Sequence, residues 1–296
     1  MPSVVSVILE GLPIGVLAAG YLMRARTLAG EGRPVPLWRL LCFGGGLLVI
    51  WAAVGTPLAA TAEELQTAHM AQHVLLGDIA ALLIVLGLTG PLLQPLLRAP
   101  VLRHLRVLSN PVVAFGLWVV SLYAWHLPVL YEAAVEHPLV HAAEHMSFLG
   151  AGIAMWAALL GPLPKPAWFG SAAQLSYVFL MRVTGALLAN VLIWSQSPFY
   201  PSYVATASER GVDPMTDQNL SGAVLMIEGS LVTIIVFAWL FLRWASADER
   251  RQQLVDEAAH AGVALDERRA ARAVAAGEEE RLRERLGLDR ISERRS

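Results

Sequence analysis

HMAQHVLLGDIAALLIVLGL, residues 69–88, decides the fold. Twenty residues at 1.5 Å each make a helix of about 30 Å, the thickness of a bilayer's hydrocarbon core. The stretch holds one carboxylate, Asp78, two histidines spaced i, i+4, and Gln72; every other residue is apolar or glycine. Residues four apart share a helix face, with Cβ atoms about 5–6 Å apart, so His69 and His73 present their rings together. Ionisable groups inside a membrane segment are costly and mark function. The stretch reads as a spanning helix that carries a site near one end.

The rest of the chain agrees with this reading. It is 56% hydrophobic and 16% charged with mean hydropathy +0.54, where a soluble protein would carry about a quarter charged residues. Apolar stretches of spanning length recur, at about 4–23, 37–57, 67–95, 110–130, 139–161, 172–195 and 220–243. The expectation is an all-α, polytopic membrane helical bundle of about seven transmembrane helices over residues 1–245. The first stretch lacks a basic leader and runs straight into Arg24 and Arg26, so it reads as an anchor and not a cleaved signal.

Basic residues set the orientation. Arg24, Arg26, Arg33 and Arg39 fall in the first connection, Arg98, Arg103 and Arg106 in the third, and Lys165 in the fifth. The second and fourth connections have none, and the sixth only Arg210 among three acids. Cytoplasmic loops are the basic ones, which puts the N-terminus outside and the C-terminus in the cytoplasm. Residues 246–296 hold half of the chain's 22 basic residues, interleaved with acids. They read as a charged cytosolic tail, partly helical through i, i+4 pairs or disordered. A net charge of −2 without a basic, aromatic patch excludes nucleic-acid binding. One cysteine, Cys42, leaves no intrachain disulfide or thiolate metal motif. Gly44, Gly45 and Gly46 fall mid-span, where small residues mean close helix packing.

Depth brings the polar residues into two layers. His69 and His73 lie one to two turns into the third span. His126 lies close to the outer end of the fourth. His141 and His145, again i, i+4 in VHAAEHMSFLG, lie one to two turns into the fifth. Five of the eight histidines thus share one outer layer, which points to a metal or haem site. Met70 and Met146 adjoin this layer as candidate soft ligands or as filler. Glu144 reads either as a partner that orients an imidazole or as an interfacial carboxylate. Asp78, Arg182 and Glu228 fall near the midplane, with Arg182 expected to pair with one of the acids. Such a network either locks the packing or carries a proton or ion. His104, His137 and His260 read as surface or rim residues. The sixth connection, with Phe199, Tyr200 and Tyr203 as interfacial anchors and then Asp213, Met215 and Asp217, is long enough for a lid or a docking surface, and Asp217 is a further candidate for a charge network or for a partner that orients a ligand.

With HMAQH opening one helix, WHLP…HAAEH linking the next two and MTDQNLSG before the last, the chain resembles the CtaG-type cytochrome c oxidase assembly factors. The resemblance covers roughly residues 1–245, is specific in the third to fifth spans and at Asp217–Gln218, and is loose in the first two spans. It implies a multi-pass protein of the bacterial plasma membrane that is not an enzyme and works on cytochrome c oxidase subunits. It also implies handling of copper at the outer face. Imidazole suits copper, zinc and iron alike, and the lack of thiolate favours a site that can release its ion over a tight structural zinc site. Two rival readings stay open. One is a b-type haem protein with paired axial histidines. The other is a seven-span zinc hydrolase, for which Asp78 and Ser147 would be the neighbouring acid and serine.

Overall fold

The computed structural model describes residues 4–98, 107 and 110–288, with side chains from residue 13 onward. Arg103, Arg106 and His104 lie outside the described residues. Everything regular among the described residues is helical. Helices α1 (Val4–Gly30), α2 (Leu37–Val54) and the short α3 (Pro57–Ala62) lead to α4 (Gln66–Gly87). Next come α5 (Gly90–Arg98), α6 (Pro111–Trp125), α7 (Pro128–Glu136), α8 (Pro138–Leu160) and α9 (Ser171–Trp194). Helix α10 (Pro201–Glu209) lies within the sixth connection, and α11 (Pro214–His260) follows it.

Proline sets many of the starts. Pro57, Pro111, Pro128, Pro138 and Pro201 each occupy the first turn of their helix, where a missing N–H costs nothing and φ is already helical. Among the described residues, α2, α4, α8, α9 and α11 are long and apolar enough to cross a membrane. The pair α6 and α7 adds a sixth crossing if it counts as one span, but it is bent by 74°. The fourth expected stretch is therefore broken and not straight. Pro128 pushes Leu127 into extended backbone (φ −68°, ψ 130°), the conformation favoured before proline. The expected first span is helical as α1 but is not among these five or six.

Helix α4 lies at the centre. It packs on α2 through Gly46, where an added Cβ would sit 2.8 Å from Ile84 and 3.1 Å from the Ala80 carbonyl. It packs on α8 through Gly152, where a Cβ would overlap the Gly77 carbonyl oxygen. The glycine run at 44–46 thus does serve close packing, at Gly46. The hydrogen bonding of α4 widens to a π-helical turn over Leu75–Ala80, a local insertion found mostly at functional sites.

Both ends of α4 are tied by distant side chains. At its start the Asp217 carboxylate accepts from the Gln66 N–H (2.7 Å), the Thr67 N–H (3.0 Å) and the Thr67 hydroxyl (2.6 Å). At its end Arg39 donates to the Leu86 and Leu88 carbonyls (2.9 and 2.6 Å) and Tyr21 to the Gly87 carbonyl (2.9 Å). An anion at the N-terminus and a cation at the C-terminus both match the helix dipole.

The chain divides into two compact units at Thr233/Ile234. In the second, the end of α11 packs with α12 (Glu267–Ala276) and α13 (Glu279–Leu286) around Leu254, Ala270, Val274 and Leu282. Through residue 288 the tail is therefore folded, with left-handed Gly277 and Gly287 ending its two short helices, the usual glycine stop.

Candidate metal centre

The first two turns of α4 and of α8, together with the broken end of α6, converge on one point. Ring centroids lie 4.3 Å apart for His69 and His73, 4.2 Å for His141 and His145, and 5.4 Å for His69 and His141. His73 lies 5.7 Å from His145 and 6.1 Å from His126. All five histidines of the expected layer thus form one cluster. His69, His73 and His126 are buried, while His141 and His145 are partly exposed.

Glu144 is the residue whose place the sequence left open. It is completely buried, with its two oxygens 3.6 Å from His69 Nε2 and 3.4 Å from His73 Nε2. One ligand atom from each of His69, His73 and Glu144 can be chosen so that all three lie within 4.8 Å of one another. Glu144 thus belongs among the candidate ligands themselves, and it is no interfacial carboxylate. The tautomer of His126 follows from its bend. Its Nδ1 lies 2.7 Å from the Leu122 carbonyl, so Nδ1 carries the proton and Nε2 keeps its lone pair, the arrangement in which a second ring contact orients a ligand.

The donor atoms at this point are otherwise unused. Nε2 of His69, His126, His141 and His145, both ring nitrogens of His73 and both oxygens of Glu144 are buried with no hydrogen-bond partner. Buried polar atoms in folded proteins are overwhelmingly partnered. A concentration of orphans around one carboxylate is the signature of atoms committed to something other than internal hydrogen bonds. Neutral imidazoles with one carboxylate are a donor set for copper, zinc or iron, and these residues fit such an ion. They do not fit a haem: rings 4–6 Å apart leave no slot for a macrocycle between them. The residues required by the hydrolase reading fall elsewhere. The Ser147 hydroxyl is bonded to Trp125 and donates to the Glu144 carbonyl (2.8 Å), and Asp78 is not in the ligand group.

Aromatic side chains cover the cluster. Phe148 stacks on His73 at 4.3 Å, and Tyr131 of α7 lies 5.0 Å from His69. Tyr131 stacks on Tyr200 at 3.7 Å. The Tyr200 hydroxyl donates to the His126 carbonyl (3.0 Å) and that of Tyr203 to the Ala62 carbonyl (2.7 Å). Tyr200 and Tyr203, expected as interfacial anchors, instead turn inward, and burial pushes both phenols up from their ordinary value. The sixth connection is a cover over the site. Gln218 holds it by accepting from the Phe199 N–H (2.7 Å).

Three further expectations need correction or placement. Met146 is 68% exposed, one residue and so about 100° round α8 from His145, and does not reach the buried cluster. Met70 is buried, the same angle round α4 from His69. Asp217 is no member of a charge network, because its carboxylate is spent on the start of α4. In the deeper layer Asp78, Arg182 and Glu228 do line one cavity. Among the described residues, however, Arg182 makes no ion pair: one nitrogen of its guanidinium donates to the Ser230 hydroxyl (2.8 Å) and meets the Met226 sulfur, residues two positions either side of Glu228 on α11, about half a turn each.

A helical membrane bundle with a buried histidine–carboxylate centre near one end is the class these observations define. The chain belongs to the cytochrome c oxidase caa3 assembly factor (Caa3_CtaG) family, whose model matches residues 19–247. It is also similar to uncharacterized proteins of Mycobacterium bovis and Mycobacterium tuberculosis, each 26% identical over 85% of this chain and 41% of the relative. A Mycobacterium leprae protein is 24% identical over 79% of this chain and 38% of its own length. The chain thus spans about two fifths of these relatives. No solved structure matches.

Proposed function

We propose that this chain serves in the assembly of bacterial cytochrome c oxidase by binding copper at the His69–His73–Glu144 centre and handing it to an oxidase subunit. The observation that carries the reading is the set of orphaned donor atoms around Glu144. His69, His73 and Glu144 would supply the first contacts, with His126, His141 and His145 one ring further out as the exit or entry path. Copper here is cargo, and no bond is made or broken in a substrate. Six imidazole and carboxylate residues without a thiolate give a centre that exchanges its ion readily. The alternation of basic connections supports a plasma-membrane protein of seven spans with the N-terminus outside, which sets the centre toward the outer face, where the cargo would be passed on.

The test is genetic and chemical together. Replacing both His73 and His145 with alanine is expected to leave the protein in the membrane, abolish copper that copurifies with it, and lose cytochrome c oxidase activity, with partial rescue by added copper. Copurifying zinc that is lost in the same variant, without copper rescue, would replace copper by zinc in this reading. Normal oxidase activity in a complete deletion strain at limiting copper would end the assembly role.

A further inference from the structure

The π-helical turn of α4 lies just past the histidines and carries Asp78 to a second polar site, one the copper reading does not use. Asp78, Trp118, Trp156, Arg182, Glu228 and Thr233 line a cavity of about 40 Å³. Both carboxylate oxygens of Glu228 are buried without a hydrogen-bond partner, and the indole N–H of Trp156, a residue only 1% exposed, faces the Asp78 carboxylate without completing a hydrogen bond of normal geometry. The titratable or charged side chains that line this cavity are Asp78 from α4, Arg182 from α9 and Glu228 from α11; α6 and α8 contribute the indoles of Trp118 and Trp156.

The charge count is two acids to one guanidinium, and that guanidinium is bonded to Ser230. A carboxylate left unpaired in a low-dielectric interior costs so much that it neutralises by taking a proton. The donor inventory separates a proton from a metal ion. Trp156 and Arg182 only donate hydrogen bonds and would repel a metal cation. The volume, set against the 10–15 Å³ or so that one water needs, and the presence of both donors and acceptors on the wall suit water.

We propose that this cavity is a proton-binding site in which Asp78 and Glu228 hold one proton between them through water. The Trp156 N–H donates to the water, and the water donates to the carboxylate. The protonated acid completes the chain. This site stands or falls independently of the copper reading.

Dicyclohexylcarbodiimide is the probe, because it adds to protonated carboxyls in apolar surroundings and leaves carboxylates alone. The full chain in its native membrane is treated across a pH series and the modified peptide located by mass spectrometry. Glu228 or Asp78 is expected to be modified near neutral pH, with modification falling as pH rises. In Asp78→Asn, Glu228 faces Arg182 without a second acid, so its modification midpoint shifts to lower pH. The proposal is overturned if neither acid is modified between about pH 6 and 8, well above an ordinary carboxyl's range. It is equally overturned by an unshifted midpoint in the variant. Protection by sodium or potassium at fixed pH would make the cavity a metal-cation site instead. Should Asp78→Asn fail to accumulate, the wild-type pH and salt series still decide.

Discussion

Around Glu144 six ring nitrogens and both carboxylate oxygens are buried without a hydrogen-bond partner, whereas in the helices beyond Ser246 the interior is aliphatic and several surface arginines meet a glutamate or aspartate. Arg251 pairs with Asp248 and Glu267, Arg281 with Glu278, and Arg283 with Glu257 and Glu280. Residue types do not explain the contrast, since both regions are rich in ionisable groups. Satisfaction does. Among the described residues of the tail no buried side-chain polar atom lacks a partner, and the charges lie on the surface of two short helices while Leu254, Val274 and Leu282 pack beneath. In the bundle the fold pays desolvation to gather six donor residues and then leaves them open. Polar atoms answered within the chain support structure; those gathered and left open are arranged for a ligand.

The sharpest way to break this comparison is Glu144→Ala. Glu144 contributes the only negative charge of the ligand triad, and both its oxygens lie near imidazole nitrogens. Loss of a direct ligand exceeds loss of an orienting partner, which costs about 10–100-fold in metal affinity. Copper affinity, measured by competition with a chelator on purified protein, is expected to fall by about 100-fold or more, equivalent to about 2.7 kcal/mol. An unchanged affinity would remove Glu144 from the centre and put the burden on the histidines alone.

Asp217→Ala comes next. It removes a carboxylate that ties the start of α4 from 150 residues away, two residues before His69. Loss of an N-cap costs about 0.5–2 kcal/mol, and the charge-assisted contacts to Thr67 place this one toward the upper end. A lower melting temperature in detergent is expected, with copper affinity falling only a few-fold because the ligands themselves remain. Asp217→Asn, which can still accept from the Gln66 N–H, should restore part of the stability. A loss of copper binding as large as that of Glu144→Ala, with stability intact, would make Asp217 part of the centre and not a clamp.

How much of this was legible in the sequence depends on the distance over which each feature is decided. The two i, i+4 histidine pairs are fixed by local helix geometry, and the apolar lengths around them fix their common level, so the five-histidine cluster could be read directly. The break after His126 is local too: Leu127–Pro128 signals it, but an apolar run that continues through both helices masks it. Glu144 was only half legible, because i+3 from His141 puts it on the right side of α8, while its full burial depends on α4 packing against Gly152. Met146 failed for the same reason in reverse: adjacency in sequence is a 100° step on a helix. Asp217, Tyr200 and Tyr203 act across 74 to 151 residues, and no spacing rule reaches that far. The π-helical turn at Leu75–Ala80 has no composition signal at all.

The tail side of the comparison makes the smallest prediction. Arg283 forms a two-point contact with Glu257 (2.8 and 3.2 Å) and a third bond to Glu280 (3.0 Å), and it joins α13 to the end of α11. Its side chain keeps 23% of its exposure and its partners keep more, so salt and water screen the attraction, and exposed pairs of this kind contribute about 0.2–1 kcal/mol. Arg283→Ala is therefore expected to speed backbone hydrogen exchange by no more than about 5-fold over residues 279–286, consistent with that energy. The difference from wild type should shrink as salt is raised. Copper affinity and oxidase activity should not change. Leu254→Ala, which removes the fully buried side chain beneath the same helices, should exceed it several-fold, since core truncation costs about 2–5 kcal/mol. If the arginine variant proved the more damaging of the two, the tail's charges would be doing more than solvating a folded surface, and the line drawn between answered and open polar groups would have to be redrawn there.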